Sequence, residues 1–219
     1  VGKFSKLAVA LFLSAVFFFG SVESFSSHPY FKVRWVDDGD TVILEDNRHV
    51  RYSGINAPEK GNGSKPGELF GKEAFEFNRN LVLSKKVRLE SDLEEKDRYG
   101  RILAYVYLSD NTFVNLRMIE TGHAFVLYQK PNIKYYPILL QAQQKAMISE
   151  KGIWTALKED DGIQYVGNRN SKRFHKVSCP LGKKIRPDHH LFFKSKRDAF
   201  WEGYSPCREC SPALFVTPS

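Results

Sequence analysis

The chain has 219 residues, 42% of them hydrophobic, and 33 Lys+Arg against 25 Asp+Glu, a formal net charge of +8. That length holds one ordinary domain plus something small and excludes a chain too short to bury a core. The charge is uneven: residues 28–164 carry 20 basic and 20 acidic side chains, whereas residues 165–210 carry 11 and 4. The C-terminal block is therefore either an electrostatic footprint for a polyanion or a solvated basic surface.

In chain order, Lys3 and Lys6 precede the apolar run LAVALFLSAVFFFG over 7–20, and polar SVES follows. A basic start, a short apolar run and small residues after it predict an export signal over 1–26. The run is short for a membrane span. The competing reading is an uncleaved anchor helix, the one case in which a membrane is a partner. FKVRWV alternates, which predicts a strand with Phe31, Val33 and Trp35 on one side. TVILED and RHVRYSGI flank the turn pair Asp46-Asn47. EKGNGSKPGELFG is a loop, and Phe70, Ala74, Phe77 and Leu81 then recur at helical period. KKVRLES predicts another strand, RILAYVYL and TFVNL a second hairpin, NLRMIETG a short helix ending at Gly122, and LLQAQQKAMISEKG a third helix ending at Gly152. Few strands, two hairpins and interspersed helices predict a small closed barrel with helices packed on it.

One stretch resists its own pattern. WVDDGDTVILED reads as a strand, yet it carries Asp37, Asp38, Gly39 and Asp40. In a regular strand Asp38 and Asp40 point the same way, and Gly39 permits a bulge or a close approach. Two such carboxylates repel unless a proton or a hard cation lies between them, and oxygen ligands suit Ca²⁺ or Mg²⁺. The bland reading is a tight turn with solvated aspartates. VRYSGINAPE adds Arg51 and Glu59, and DRYGR adds Arg101. A carboxylate pair, two guanidiniums and a further carboxylate form a set that can cut a phosphodiester. A cation polarises the phosphoryl oxygen, a carboxylate takes a proton from water, and the guanidiniums hold the phosphate.

DDGDTV, VRYSGINAPE, EKDRYGRILAYVYL, VNLRMIETGHA and GIW, in that order from Phe31 to Trp154, resemble the staphylococcal-nuclease-like (thermonuclease) family. The resemblance implies an OB-fold barrel and a Ca²⁺-dependent nuclease acting on DNA or RNA. It implies Asp38 and Asp40 as metal ligands, Thr41 as a carbonyl ligand, Glu59 as general base, Arg51 and Arg101 as the phosphate clamp, and Tyr99 as a wall of the nucleotide pocket. One residue departs from the family pattern: Asn56 stands where an aspartate is usual. Its amide oxygen can still ligate calcium, with one negative charge fewer. Two readings follow, an active nuclease with weaker or altered metal dependence, or a catalytically weak or inactive nucleic-acid-binding protein.

Three cysteines lie in the basic block, an odd count for an exported protein. His175 and Cys179 are separated by three residues, and Cys207 and Cys210 form a C-x-x-C pair. One imidazole and three thiolates match a closed structural Zn²⁺ site. The alternative is a Cys207–Cys210 or Cys179–Cys207 disulfide with one thiol left over. FHKVSCP, HHLFFKSKRDAFWEGYSPCREC and a closing SP resemble the zinc-binding domain of the Ada DNA-repair protein. That family has four cysteines, the first of which accepts a methyl group. His175 stands in that place, which disfavours adduct repair and leaves the metal site and contact with a phosphate backbone. Lys172, Arg173, Lys176, Lys183, Lys184 and Arg186 are the candidates for that contact, with partner-protein or envelope-polymer binding as the competing use of the face.

The sequence thus predicts an exported, mainly β protein with helices (β+α). A five-stranded OB-fold barrel with about three helices occupies 28–157, residues 158–164 are a linker, and a small zinc-binding α/β module occupies 165–212. DNA or RNA is the expected partner, and no obligate protein partner is implied.

Overall fold

The computed structural model describes residues 2, 29–62, 66–157 and 163–210. The expected leader, Gly2 apart, most of the expected linker and the last residues of the expected module lie outside the described residues. Among the described residues no helix is long and apolar enough to cross a membrane.

Strands β1 (Tyr30–Asp38), β2 (Thr41–Leu44), β3 (His49–Tyr52), β5 (Lys86–Glu90) and β6 (Ile102–Leu108) close a barrel in the order β1-β2-β3-β6-β5. A two-stranded ribbon, β4 (Ile55–Asn56) with β7 (Phe125–Val126), stands beside it. Helices α1 (Gly71–Val82), α2 (Val114–Glu120) and α3 (Tyr136–Ile148) pack around this sheet. The expected closed barrel of five strands with three helices is what forms.

Three sequence expectations are corrected here. RILAYVYL forms β6, but TFVNL is not its hairpin partner: Phe113 makes one isolated bridge to Tyr107, and α2 begins at Val114. The pairing of β1 with β2 shifts register between Val33 and Trp35. That irregularity turns Trp35 outward, 56% exposed, and buries Val36 in its place. In α1, Ala74 is buried, whereas Phe77 and Leu81 only flank the core. Phe70 precedes the helix in a left-handed conformation and packs elsewhere.

The C-terminal region forms a second sheet from β8 (Tyr165–Asn168), β9 (Arg173–Lys176), β10 (His190–Phe193) and β11 (Ser205–Pro206), ordered β10-β8-β9-β11. Helices α4 (Pro180–Lys183) and α5 (Lys196–Trp201) complete it, α5 being capped by Ser195 Oγ, which accepts from the Asp198 amide at 3.0 Å. This sheet does not hang from a linker as a separate appendage. Phe125, Met147, Ile153 and Trp154 of the barrel side share one apolar cluster with Tyr165, Phe174, Phe193 and Phe200. Phe200 meets Phe125 and Trp154 edge-on, at 5.4 and 5.2 Å between ring centres. Polar contacts tie the same seam: Gln143 Nε2 donates to Phe200 O at 2.5 Å, Gln144 Nε2 to Trp201 O at 2.9 Å and Arg197 Nη2 to Met147 O at 2.9 Å.

Candidate functional site

The acidic clasp is not a strand midpoint. β1 ends at Asp38, β2 begins at Thr41, those two residues pair, and Gly39–Asp40 form the turn between them. Convergence of the two carboxylates therefore comes from a tight hairpin rather than from strand alternation. Gly39 is there because of close approach: a Cβ would sit 2.6 Å from Ala57 Cβ and 3.0 Å from Ala74 Cβ. Asn78 of α1 fixes the hairpin from below, donating to Asp38 O at 2.9 Å while accepting from Tyr52 Oη at 2.9 Å.

Asp40 is buried, and both of its oxygens have partners. Oδ2 accepts from the Ala57 amide at 2.7 Å and pairs with Arg51 Nη2 at 3.0 Å, and Oδ1 accepts from Thr41 Oγ1 at 3.1 Å. Burial pushes its carboxyl upward, and the Arg51 charge opposes that. Asp38 Oδ1 accepts from the Gly39 amide at 2.8 Å and the Lys60 amide at 3.2 Å. Burial, a hydrogen bond shared with Glu59 and the charges of Glu59 and Asp40 push Asp38 up to about 8. Thr41 stands opposite Arg51 in the β2–β3 ladder.

Arg51 is buried and held on several sides. Nη1 donates to the carbonyls of Tyr52 and Ile55 at 3.0 Å each, and Nη2 donates to Asn56 Oδ1 at 3.0 Å. Burial lowers its pKa, Asp40 works against that, and Arg101 and then Arg208 add to the lowering as like charges. Glu59 is exposed at the rim, its backbone pinned by Glu68: the Glu59 amide donates to Glu68 Oε2 at 3.0 Å, and the Glu68 amide donates to Glu59 O at 2.8 Å. Arg101 is steadied by Asp97 at 2.8 Å. Tyr99, 69% exposed, lies 5.7 Å below the Arg101 guanidinium and lines a cleft of about 330 Å³ with Arg48, His49, Lys96 and Arg101.

Asp38, Asp40, Arg51 and Asn56 thus meet around one hairpin, Glu59 lies close enough to raise Asp38, and Arg101, paired with Asp97 in the Tyr99 cleft, is near enough for its charge to act on Arg51. The oxygen donors of Asp38, Asp40 and Asn56 suit a hard divalent cation, and burial with the neighbouring Glu59 and Asp40 raises Asp38, a crowding that such a cation relieves. Two contributors escaped the sequence reading. Ala57 acts through its amide and through its carbonyl, which accepts from Asn56 Nδ2 at 3.1 Å, so its residue type carried no signal. Glu68 sits in a segment rich in Gly, Lys and Pro that read only as loop.

A second cluster forms where β9, the N-terminus of α4 and the end of β11 meet. The ligand atoms of His175, Cys179, Cys207 and Cys210 all lie within 4.8 Å of one another, and Cys179 Sγ is 3.6 Å from His175 Nδ1. No disulfide links the cysteines, so the disulfide alternative is not the one adopted. A tetrahedral Zn²⁺ with bonds of about 2.3 Å to sulfur requires sulfurs about 3.8 Å apart, which this cluster accommodates. Burial and the neighbouring sulfurs push the Cys210 thiol up to about 11, a crowding that a dication relieves. Of the six basic candidates, three have work within the fold. Lys172 lies over the Tyr204 ring at 4.7 Å, Arg173 Nη1 donates to Pro206 O at 2.9 Å, and Arg186 pairs with Asp188 at 2.6 Å. Lys183 and Lys184 are exposed, and Lys176 is half-buried.

Comparison with known proteins agrees with this geometry. Residues 49–156 match the family model described as Staphylococcal nuclease homologue, and residues 153–213 match that described as Metal binding domain of Ada. The chain is 40% identical to the Thermonuclease of Staphylococcus hyicus over 128 residues, 57% of this chain and 75% of that protein. It is 38% identical to the Thermonuclease of Staphylococcus intermedius over 125 residues, 56% of this chain and 74% of that protein. It is 36% identical over 123 residues to the SPbeta prophage-derived endonuclease YokF of Bacillus subtilis (strain 168), 54% of this chain and 41% of that protein. The barrel with its acidic hairpin therefore places the chain in the staphylococcal nuclease homologue family, and its C-terminal sheet is similar to the metal-binding domain of Ada.

Proposed function

We propose that this protein is an exported, calcium-dependent nuclease hydrolysing phosphodiester bonds of DNA or RNA, with a zinc-held basic region at 165–212 that adds to nucleic-acid binding. The observation that carries the reading is the meeting of Asp38, Asp40, Glu59 and Arg51 around one hairpin, with Arg101 close enough for its charge to act on Arg51.

In this reading Asp38, Asp40 and Asn56 hold the cation, with Thr41 contributing a carbonyl. When bound, calcium supplies positive charge at a non-bridging phosphate oxygen. Glu59 takes a proton from the water that attacks phosphorus. Arg51 is fixed by two backbone carbonyls, Asp40 and Asn56. It needs no reorganisation to meet charge developing on the phosphoryl oxygens. Arg101 reaches the same phosphate from the rim, and Tyr99 offers an aromatic face to a neighbouring base. His175, Cys179, Cys207 and Cys210 hold the zinc.

Digestion of single-stranded DNA by purified protein with added Ca²⁺ tests the enzyme. Cleavage that a calcium chelator stops is the expected result, and folded protein that cuts nothing at any metal concentration overturns it. One observation favours a second reading, a binding protein with weak or no chemistry: the Asn56 oxygen accepts from Arg51. Retained oligonucleotide binding without cleavage is the outcome that selects it. Recovery of the protein outside the cytosol tests export, for which the support is the leader-like segment 1–26.

A further inference from the structure

The seam between the two sheets lies against the wall of the acidic site. Asn56 pairs with Phe125 in the β4–β7 ribbon, Phe125 packs on Phe200, and Phe200 packs on Phe174 at 5.4 Å. Phe174 O accepts the Cys207 amide at 2.9 Å. Leu69 and Phe70, which directly follow Glu68, pack on the same cluster. Two segments of the site's wall, Asn56 with its partner Phe125 and Glu68 with Leu69 and Phe70, therefore converge on the one apolar cluster whose Phe174 holds the start of the Cys207–Cys210 turn. The residue at the head of that turn is Arg208, which is exposed. Its charge acts on both Arg51 and Glu68, which places it within electrostatic reach of the two sides of the site.

We propose that Arg208, carried by the metal-binding turn of the C-terminal sheet, is a third phosphate-contacting residue of the barrel's active site, and that metal ligation by Cys207 and Cys210 fixes its position. This inference rests on the nuclease reading and deepens it. The region at 165–212 does more than supply distant basic charge: it completes the groove. Arg51 and Arg101 address the reacting phosphate, and Arg208 addresses an adjacent phosphate of the same strand. A guanidinium suits that task because it binds phosphate through a planar fork. Two ligated thiolates flanking a two-residue turn limit the backbone freedom that an exposed arginine otherwise loses on binding.

The test uses the full chain and a single-stranded octanucleotide. Affinity is read by fluorescence anisotropy without added calcium, and KM and kcat are read with calcium. Arg208→Ala is expected to weaken binding and raise KM roughly fivefold to tenfold, with kcat within about twofold. It is expected to reduce the slope of log affinity against log salt by about 0.7. Arg208→Lys should recover part of the loss. Zinc content and melting temperature confirm that each variant is folded. Cys210→Ser is expected to lower zinc content and raise KM, with Arg208→Ala adding little in that background.

Wild-type affinity and salt slope in folded Arg208→Ala would overturn the proposal. So would an Arg208→Ala effect that vanishes in a Glu68→Gln background, which would make Arg208 a partner of Glu68 and not of substrate. An undiminished effect in Cys210→Ser would overturn the role of the turn. A wild type that binds the octanucleotide without cutting it sinks the nuclease reading alone, because the binding comparison still reads Arg208.

Discussion

The hairpin site and the thiol cluster both crowd acidic groups into a small volume, and they manage the repulsion differently. At the hairpin the carboxylates come from one short stretch, and neutral donors already surround them: the amides of Gly39, Ala57 and Lys60, and the Thr41 hydroxyl. Arg51 adds a fixed positive charge. In the thiol cluster the ligands come from β9, the start of α4 and the end of β11, and backbone amides of Leu181, Gly182 and Lys176 reach two of the sulfurs, which also face one another. The first site is built by the barrel, and its oxygen donors suit a hard cation. The second holds together strands that are otherwise joined by the two-residue β11 and a few buried rings. In the proposed reading a hard cation at the hairpin would serve chemistry, whereas zinc at the thiols would serve structure and, through the shared apolar seam, the position of one wall of the active site.

The largest expected effect isolates chemistry from architecture. Glu59→Gln should lower kcat by about 10²–10⁴, with octanucleotide affinity and melting temperature unchanged. A loss under tenfold would move the proton-transfer role elsewhere. Next comes the seam: Phe200→Ala removes a fully buried ring and should cost about 3–5 kcal/mol. Because its neighbours belong to both sheets, the wild type should unfold in a single calorimetric transition, and two well-separated transitions would restore the picture of a tethered appendage.

The hairpin's pH response follows. Asp38 holds its proton in the folded protein up to about 8, well above an unfolded aspartate near 3.9. Its contribution to the stability of the metal-free protein is therefore full below about pH 4 and declines as pH rises towards 8. Calcium must displace that proton, so half-saturating calcium should rise as pH falls below 8, by up to about tenfold per unit. Calcium titrations from pH 6 to 9 check this, and a flat profile would show that Asp38 is not a ligand. The smallest effect is the most local: Asn56→Asp adds one carboxylate to the cation site and should tighten calcium severalfold, partly offset by a stronger hold on Arg51. Unchanged calcium dependence would remove residue 56 from the ligand set.

How much of this was legible beforehand depends on the length scale of each signal. The barrel and its helices announced themselves through periodicity and turn residues, whereas DDGDTV, APE and DRYGR pointed to the candidate site through their order and their resemblance to a known family. Trp35 was misplaced because a register irregularity in β1 resets alternation, and nothing in its residue type marks one. Glu68 and Ala57 were missed because they act through backbone groups or from an irregular segment. Arg173 and Lys172 looked like free cations in a basic run, but one braces Pro206 and the other covers Tyr204.

By itself the sequence determined the chemistry available: carboxylates two residues apart with two guanidiniums further along, three thiols and an imidazole at metal-ligand spacing, and a basic surplus concentrated in the last quarter of the chain. Only the tertiary structure decided how those groups face one another. It moved the clasp from a strand to a turn, set Asn56 against Arg51, and packed Phe125 on Phe200 so that the second sheet borders the first site. The physical reason is that residue type fixes charge and donor capacity locally, whereas proximity between segments far apart in the chain is decided by which apolar faces bury together.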